Sequence, residues 1–190
     1  GTARVFSKGE SKGRVLKKGD SIRKDHEVKV YERSRMEIRF PDGSVMRLSE
    51  KSNLKIGDVV FTKQTGKKRV NADLSVGKLW ANVTKMVTED SSVEVKTSNA
   101  VAGVRGTVYQ INVDEDQSAL VRVYDGSVYV ANPPRDPSRP AGAGMPPREV
   151  SGPHEVPPPY HEVSREEWTA IVKAMQQITI SSQGVPSKPQ

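Results

Sequence analysis

The chain has 190 residues, of which 34% are apolar and 28% charged, and a formal net charge of +7. At roughly 100–200 residues per domain this is one domain with appendages. It has no cysteine, which excludes disulfide staples, thiol catalysis and cysteine-held zinc or iron–sulfur sites. No apolar run reaches the ~18 residues that suggest a membrane-spanning helix. The chain begins at Gly1 without a signal-like apolar stretch, and a removed export or anchoring segment is expected to have preceded it. Residues 1–132 hold 24 Lys+Arg against 17 Asp+Glu, whereas residues 133–190 hold six of each. Any preference for an acidic partner therefore belongs to the first two-thirds.

Residues 1–13 mix Gly, Ser and Lys with little apolar content and are expected to form a flexible tail. Residues 14–132 change to short alternating runs, such as Val28-Val30, Met36-Ile38-Phe40, Leu74-Val76 and Val108-Ile111-Val113. Period-two patterning rich in Val, Ile, Thr and Tyr predicts strands. The expectation is an all-β domain of about ten short strands, solenoid-like or a twisted sandwich. An Asp-Gly-Ser-Val sequence follows an apolar strand twice, at Asp42-Gly43 and at Asp125-Gly126. Glycine takes the positive φ that such turns require, so both are read as similar turns between strands. The basic groups Arg14 to Lys24 and Lys63 to Arg69 are read as an exposed basic face, and Trp80 as core.

Ten of the thirteen prolines fall within residues 133–159, so residues 133–163 are read as a Pro-rich linker or a strap. Residues 164–180 are read as an amphipathic helix with a short extension. Ser164 and Glu167 have capping-box spacing, and Trp168, Ile171, Val172, Met175 and Ile178 form an apolar stripe that serves as a docking face. Residues 181–190 are expected to be a loose tail.

Little suggests chemistry. His26, His154 and His161 lack metal-ligand spacing. Asp114-Glu115-Asp116 reads as a solvated hairpin tip rather than a calcium loop. Gly103-Val104-Arg105-Gly106 lacks the Lys-Ser/Thr of a phosphate loop, and no Gly-x-Ser-x-Gly is present. No catalytic residue, metal site or cofactor is assigned. Aromatics are 5% and not interleaved with basic residues, which argues against specific nucleic-acid binding.

Several segments, in order, resemble a known family. Thr97 to Val113 contains Ala100-Val-Ala-Gly103-Val104-Arg105-Gly106-Thr107 before a strand. Val15-Leu16-x-x-Gly19-Asp20, Met36 to Leu48, Gly77-Lys78-Leu79-Trp80 and Val121 to Val128 precede or follow it in the expected order. Over residues 14–131 the chain resembles the FecR-type domain, named for the ferric-citrate regulator. The resemblance implies a periplasmic or otherwise exported all-β module, and the absence of any catalytic set among the residues makes a non-catalytic role the expectation. Members with an assigned role are transmembrane regulators of iron-uptake sigma factors whose exported part senses an outer-membrane receptor. Lacking a transmembrane helix and a sigma-binding helix bundle, this chain is expected to be a stand-alone exported member.

Gly103 and Gly106 are read as permitting a tight corner between strands. Arg105 is read as pinning it through its fork of donors, and Thr107 as starting the next strand. A partner-facing role for this motif is the alternative. The functional expectation is a periplasmic or otherwise exported signalling module that recognises a cell-envelope protein through an exposed strand edge. A binder of anionic wall or surface polysaccharide, and an assembly protein using the C-terminal helix, are the alternatives. The partner and the oligomeric state are left open.

Overall fold

The computed structural model describes residues 1–62, 64–85, 88, 91–133 and 169–190. The first seven strands are β1 (Ala3–Phe6), β2 (Arg14–Val15), β3 (Glu27–Val30), β4 (Met36–Arg39), β5 (Val45–Leu48), β6 (Ser52–Thr62) and β7 (Lys67–Asn82). The others are β8 (Ser92–Lys96), β9 (Val101–Val104), β10 (Val108–Val113), β11 (Ala119–Asp125), β12 (Ser127–Ala131), β13 (Thr169–Lys173) and β14 (Gln177–Ile180). The fold is all-β, and no helix occurs among the described residues.

The strands form two layers that share β7. Layer A runs β2-β1-β3-β6-β7-β8-β9-β12-β13. Layer B runs β4-β5-β7-β10-β11-β14. Every pairing is antiparallel except β7 with β8. Each layer turns one face onto a single core built from Val28, Leu54, Leu74, Leu79, Ile111, Val121 and their neighbours.

β7 passes from one layer to the other by breaking its own alternation. Lys68, Val70, Ala72 and Leu74 point inward, and then Leu79 and Ala81 do. The parity changes across a bulge opposite Asn53-Leu54 and at Gly77, whose φ is +102°. A Cβ on Gly77 would lie 2.4 Å from the Cα of Ser52. Only glycine fits such a bend and close approach.

The C-terminal region differs from the helical expectation. Residues 169–180 are two strands joined by a tight turn at Met175, whose φ is +63°. Ala170 and Val172 turn inward while Ile171 is 60% exposed, and Ile178 and Ile180 are fully buried. Met175, placed on the apolar stripe, is 84% exposed. The segment is rich in β-branched residues, which favour strands. Open edges on β12 and β11 offered hydrogen-bond partners that a lone amphipathic helix, marginal by itself, could not match. Trp168 and the Pro-rich segment lie outside the described residues.

Both expected tails are also tied in. β1, within residues 1–13, pairs with β2 and β3, and its Val5 is in the core. At the other end Gln190 and Gln177 exchange backbone hydrogen bonds, and the Ser187 N–H donates to the Thr179 carbonyl at 2.8 Å.

Candidate functional site

Three sequence motifs meet at one end of the fold. Val45 on β5 and Val108 on β10 both stand opposite Asn82, the last residue of β7. The Asp42-Gly43 turn and the Arg105-Gly106-Thr107 corner therefore flank the chain as it leaves β7.

The first turn is a hairpin between β4 and β5. Gly43 has φ +83°, and the Ser44 N–H donates to Asp42 Oδ1 at 3.0 Å. Asp42 Oδ2 accepts from Lys68 Nζ, Ser44 Oγ and Thr84 Oγ1, each at 2.7 Å. Lys68 Nζ also donates to the Thr84 carbonyl at 2.7 Å and to Thr84 Oγ1 at 2.8 Å. The Lys68 side chain is 5% exposed and that of Asp42 21%. Lys68 is thus not part of an exposed basic face. Burial pushes the Asp42 carboxyl up, but Lys68, Ser44 and Thr84 together outweigh it and hold the pKa at about 2. All three Lys68 donors are used within the fold, and the adjoining void is only about 10 Å³, barely the space of one water. The cluster fastens the hairpin to β7 and has no room for a ligand.

The second Asp-Gly turn shares the motif but not the topology. It carries the chain from β11 in layer B to β12 in layer A, and Asp125 is exposed. Gly126 has φ +83°, and a Cβ there would sit 2.9 Å from the Gly106 carbonyl. Gly106 itself has φ +78°, and its Cβ would lie 2.7 Å from the Cα of Lys85. Thr107 is 1% exposed. Its hydroxyl donates to the Ser127 carbonyl at 2.9 Å, and its carbonyl accepts from the Val83 N–H at 3.0 Å. The two glycine corners pack back to back, which their separation in sequence conceals.

Gly103 has a different role from the one expected. It lies within β9, and a Cβ there would meet only the Tyr129 carbonyl at 3.9 Å. Directly opposed residues place Glu94, Gly103, Tyr129 and Ile171 in one row across β8, β9, β12 and β13. Gly103 is the gap in that row. Together with the exposed Arg105 these residues line an open groove of about 420 Å³ on the outer face of layer A. Tyr129 is 52% exposed and its hydroxyl lies 3.2 Å from Thr169 Oγ1.

Sequence reading missed Lys68, Thr84 and Tyr129 as members of these sites, and placed Ile171 on the docking face of a helix rather than on a strand beside Tyr129. It also missed the clamp at the other end, where Asn99 Nδ2 donates to the carbonyls of Gln117, Ser181 and Ser182. Trp80 is not core. It stands half-buried on the outer face of layer B, with the Arg47 guanidinium 4.7 Å from its ring centre. Among the described residues no group of three or more His, Asp or Glu side chains could hold a metal ion.

This arrangement is an all-β scaffold with most of its motif residues built into it. The profile of the FecR protein family matches residues 26–129, more than half of the chain, and the chain belongs to that family. Two crystal structures of a candidate anti-sigma factor from Parabacteroides distasonis ATCC 8503 are similar in fold. Their TM-scores are 0.55 and 0.54 at 16% and 15% identity, over 85% of this chain and 59% of theirs. The chain thus spans about three-fifths of the length of that protein. No curated protein matches the chain in sequence.

Proposed function

We propose that this chain is a non-catalytic, exported signalling module of the bacterial envelope that recognises an envelope protein. Its membership of the FecR family and its fold likeness to a candidate anti-sigma factor support a regulatory role. The observation that carries the recognition reading is the groove on layer A. It sets an exposed tyrosine and an exposed isoleucine beside the motif arginine, over a glycine that leaves the floor open. Aromatic and arginine side chains around a recess are the usual anchors of protein recognition.

The test is affinity capture from detergent-solubilised envelope at about 0.15 M salt, where surface charge is substantially screened. Gly103→Val puts a side chain into the groove at a position where the Cβ meets only the Tyr129 carbonyl, at 3.9 Å, and Arg105→Ala removes the rim charge. One envelope protein held by the native chain and lost with both substitutions supports the reading. Capture unaffected by either refutes the groove, and retention of wall polymer with no protein would favour the polysaccharide alternative. The assembly role assigned to a C-terminal helix finds strands rather than a helix in the described residues 169–180, with Val172 and Ile178 in the core.

A further inference from the structure

Layer B ends in two unlike edges. On one side β14 is covered by the chain's own last residues, which pair with it at Gln177 and Thr179. On the other, β4 pairs only with β5 among the described residues. The Phe40 N–H donates to the Ser44 carbonyl, so at period two Met36 and Ile38 direct their backbone groups to β5. The N–H and C=O groups of Glu37 and Arg39 then face away from the layer, along an unpaired edge.

The side chains around that edge are uneven in two ways. On the inner side Met36 and Ile38 are half-buried, whereas Leu48 and Met46, directly opposite them, are 1% exposed. The apolar side chains packed on the core are only partly covered at β4. On the outer side Arg39 stands on β4 and the exposed Arg35 just before it, with Arg47 and Lys78 on the neighbouring strands. Glu37 accepts from Arg39 Nε at 2.6 Å and from Arg47 Nε at 2.8 Å. Arg35 and Lys78 have no carboxylate partner among the described residues. An open groove of about 990 Å³ runs past Arg35, Arg47, Lys78 and Trp80.

We propose that an extended acidic segment of another polypeptide adds as a strand to β4. Its carboxylates meet Arg35 and Arg39 on the outer side, and its alternate apolar residues cover Met36 and Ile38. Of the polymers that carry negative charge, only a polypeptide has the backbone donors and acceptors that an open strand edge requires. A second copy of this chain would bring the same surplus of cations against itself, and like charges across strands repel. The proposal rests on the reading of the chain as a protein-binding module and names a surface separate from the groove on layer A.

The experiment uses the full chain and three synthetic decapeptides: glutamate alternating with valine, lysine alternating with valine, and a blocked glutamate–valine isomer of equal charge. Fluorescence anisotropy gives affinity, and amide hydrogen exchange by NMR gives location. The alternating glutamate peptide is expected to bind best and to slow exchange at Glu37 and Arg39. Arg35→Glu combined with Arg39→Glu should weaken it at least about tenfold, because two attractions become repulsions. Equal binding of the lysine or blocked peptide, or no slowing at Glu37 and Arg39, overturns the proposal. So does polygalacturonate that binds at Arg35 while leaving those amides unprotected, or self-association that protects them without peptide. Both substituted side chains are exposed, and the exchange result on the native chain does not depend on the variant. The two readings fail separately. Absence of any captured envelope protein defeats the broader one, whereas capture undiminished in the β4 variant defeats this surface alone.

Discussion

Replacing Lys68 by methionine is the most informative perturbation of the motif cluster. The substitution keeps the length of the side chain but removes the cation that meets Asp42 and Thr84. Breaking a buried ion pair from one side costs about 3–5 kcal/mol. Asp42 keeps its Ser44 and Thr84 donors and is 21% exposed, so the expected loss is lower, about 2–3 kcal/mol at pH 7. The effect also has a pH signature. In the native fold the Asp42 carboxyl stands at about 2, against an ordinary 3.8. As pH falls the unfolded chain takes up this proton first, so the contribution of Asp42 is complete above about pH 4 and is lost between pH 4 and 2. At ~1.4 kcal/mol per tenfold change in proton affinity the shift corresponds to about 2.5 kcal/mol, and partial exposure reduces this to about 1–2 kcal/mol. Lys68→Met should shrink that acid-sensitive part, and Asp42→Asn should abolish it. Urea unfolding followed by far-ultraviolet circular dichroism at pH 7, 4 and 2.5 measures both effects. The double variant should be less destabilised than the sum of the two single variants. Single variants within 0.5 kcal/mol of native at pH 7, or an unchanged acid profile in Asp42→Asn, would refute the reasoning.

Two further substitutions test the scaffold. Gly77→Ala should destabilise by about 3 kcal/mol or more, because the added carbon meets the Ser52 backbone at a φ that alanine resists; a near-native urea midpoint would show that β7 can bend elsewhere. Tyr109→Phe should raise stability by about 1 kcal/mol, since the Tyr109 hydroxyl is fully buried without a hydrogen-bond partner among the described residues. Burial alone pushes that phenol's pKa up, and a loss of stability in the phenylalanine variant would reveal a partner for the hydroxyl.

Much of the fold was legible because strands with one buried face write a period of two. Val28-Val30, Met46-Leu48 and Val121-Val123 all read correctly for that reason. The glycines at 43, 106 and 126 were legible as corners because the required φ is positive. Topology was not, since the same Asp-Gly-Ser-Val sequence makes a hairpin after β4 and a change of layer after β11. Residues 169–180 misled because Ile171, Val172 and Ile178 satisfy a helical stripe as well as two short strands, with Met175 in the turn between them. The buried lysine could have been found: Lys68, Val70, Ala72 and Leu74 continue one alternation, but the neighbouring basic residues suggested an exposed patch. Gly103 and Tyr129 could not be paired from sequence, because their register depends on which strand lies beside β9.

β7 holds β6 and β8 along its first part and β5 and β10 along its second. Neither layer can come apart without stripping the other of its central strand, so the protein is expected to melt as one unit. A ligand seated on either outer face then stabilises the whole chain in proportion to the logarithm of its occupancy ratio. A single melting temperature therefore reports on two distant surfaces at once, and two ligands on opposite faces would register as additive increments of one transition.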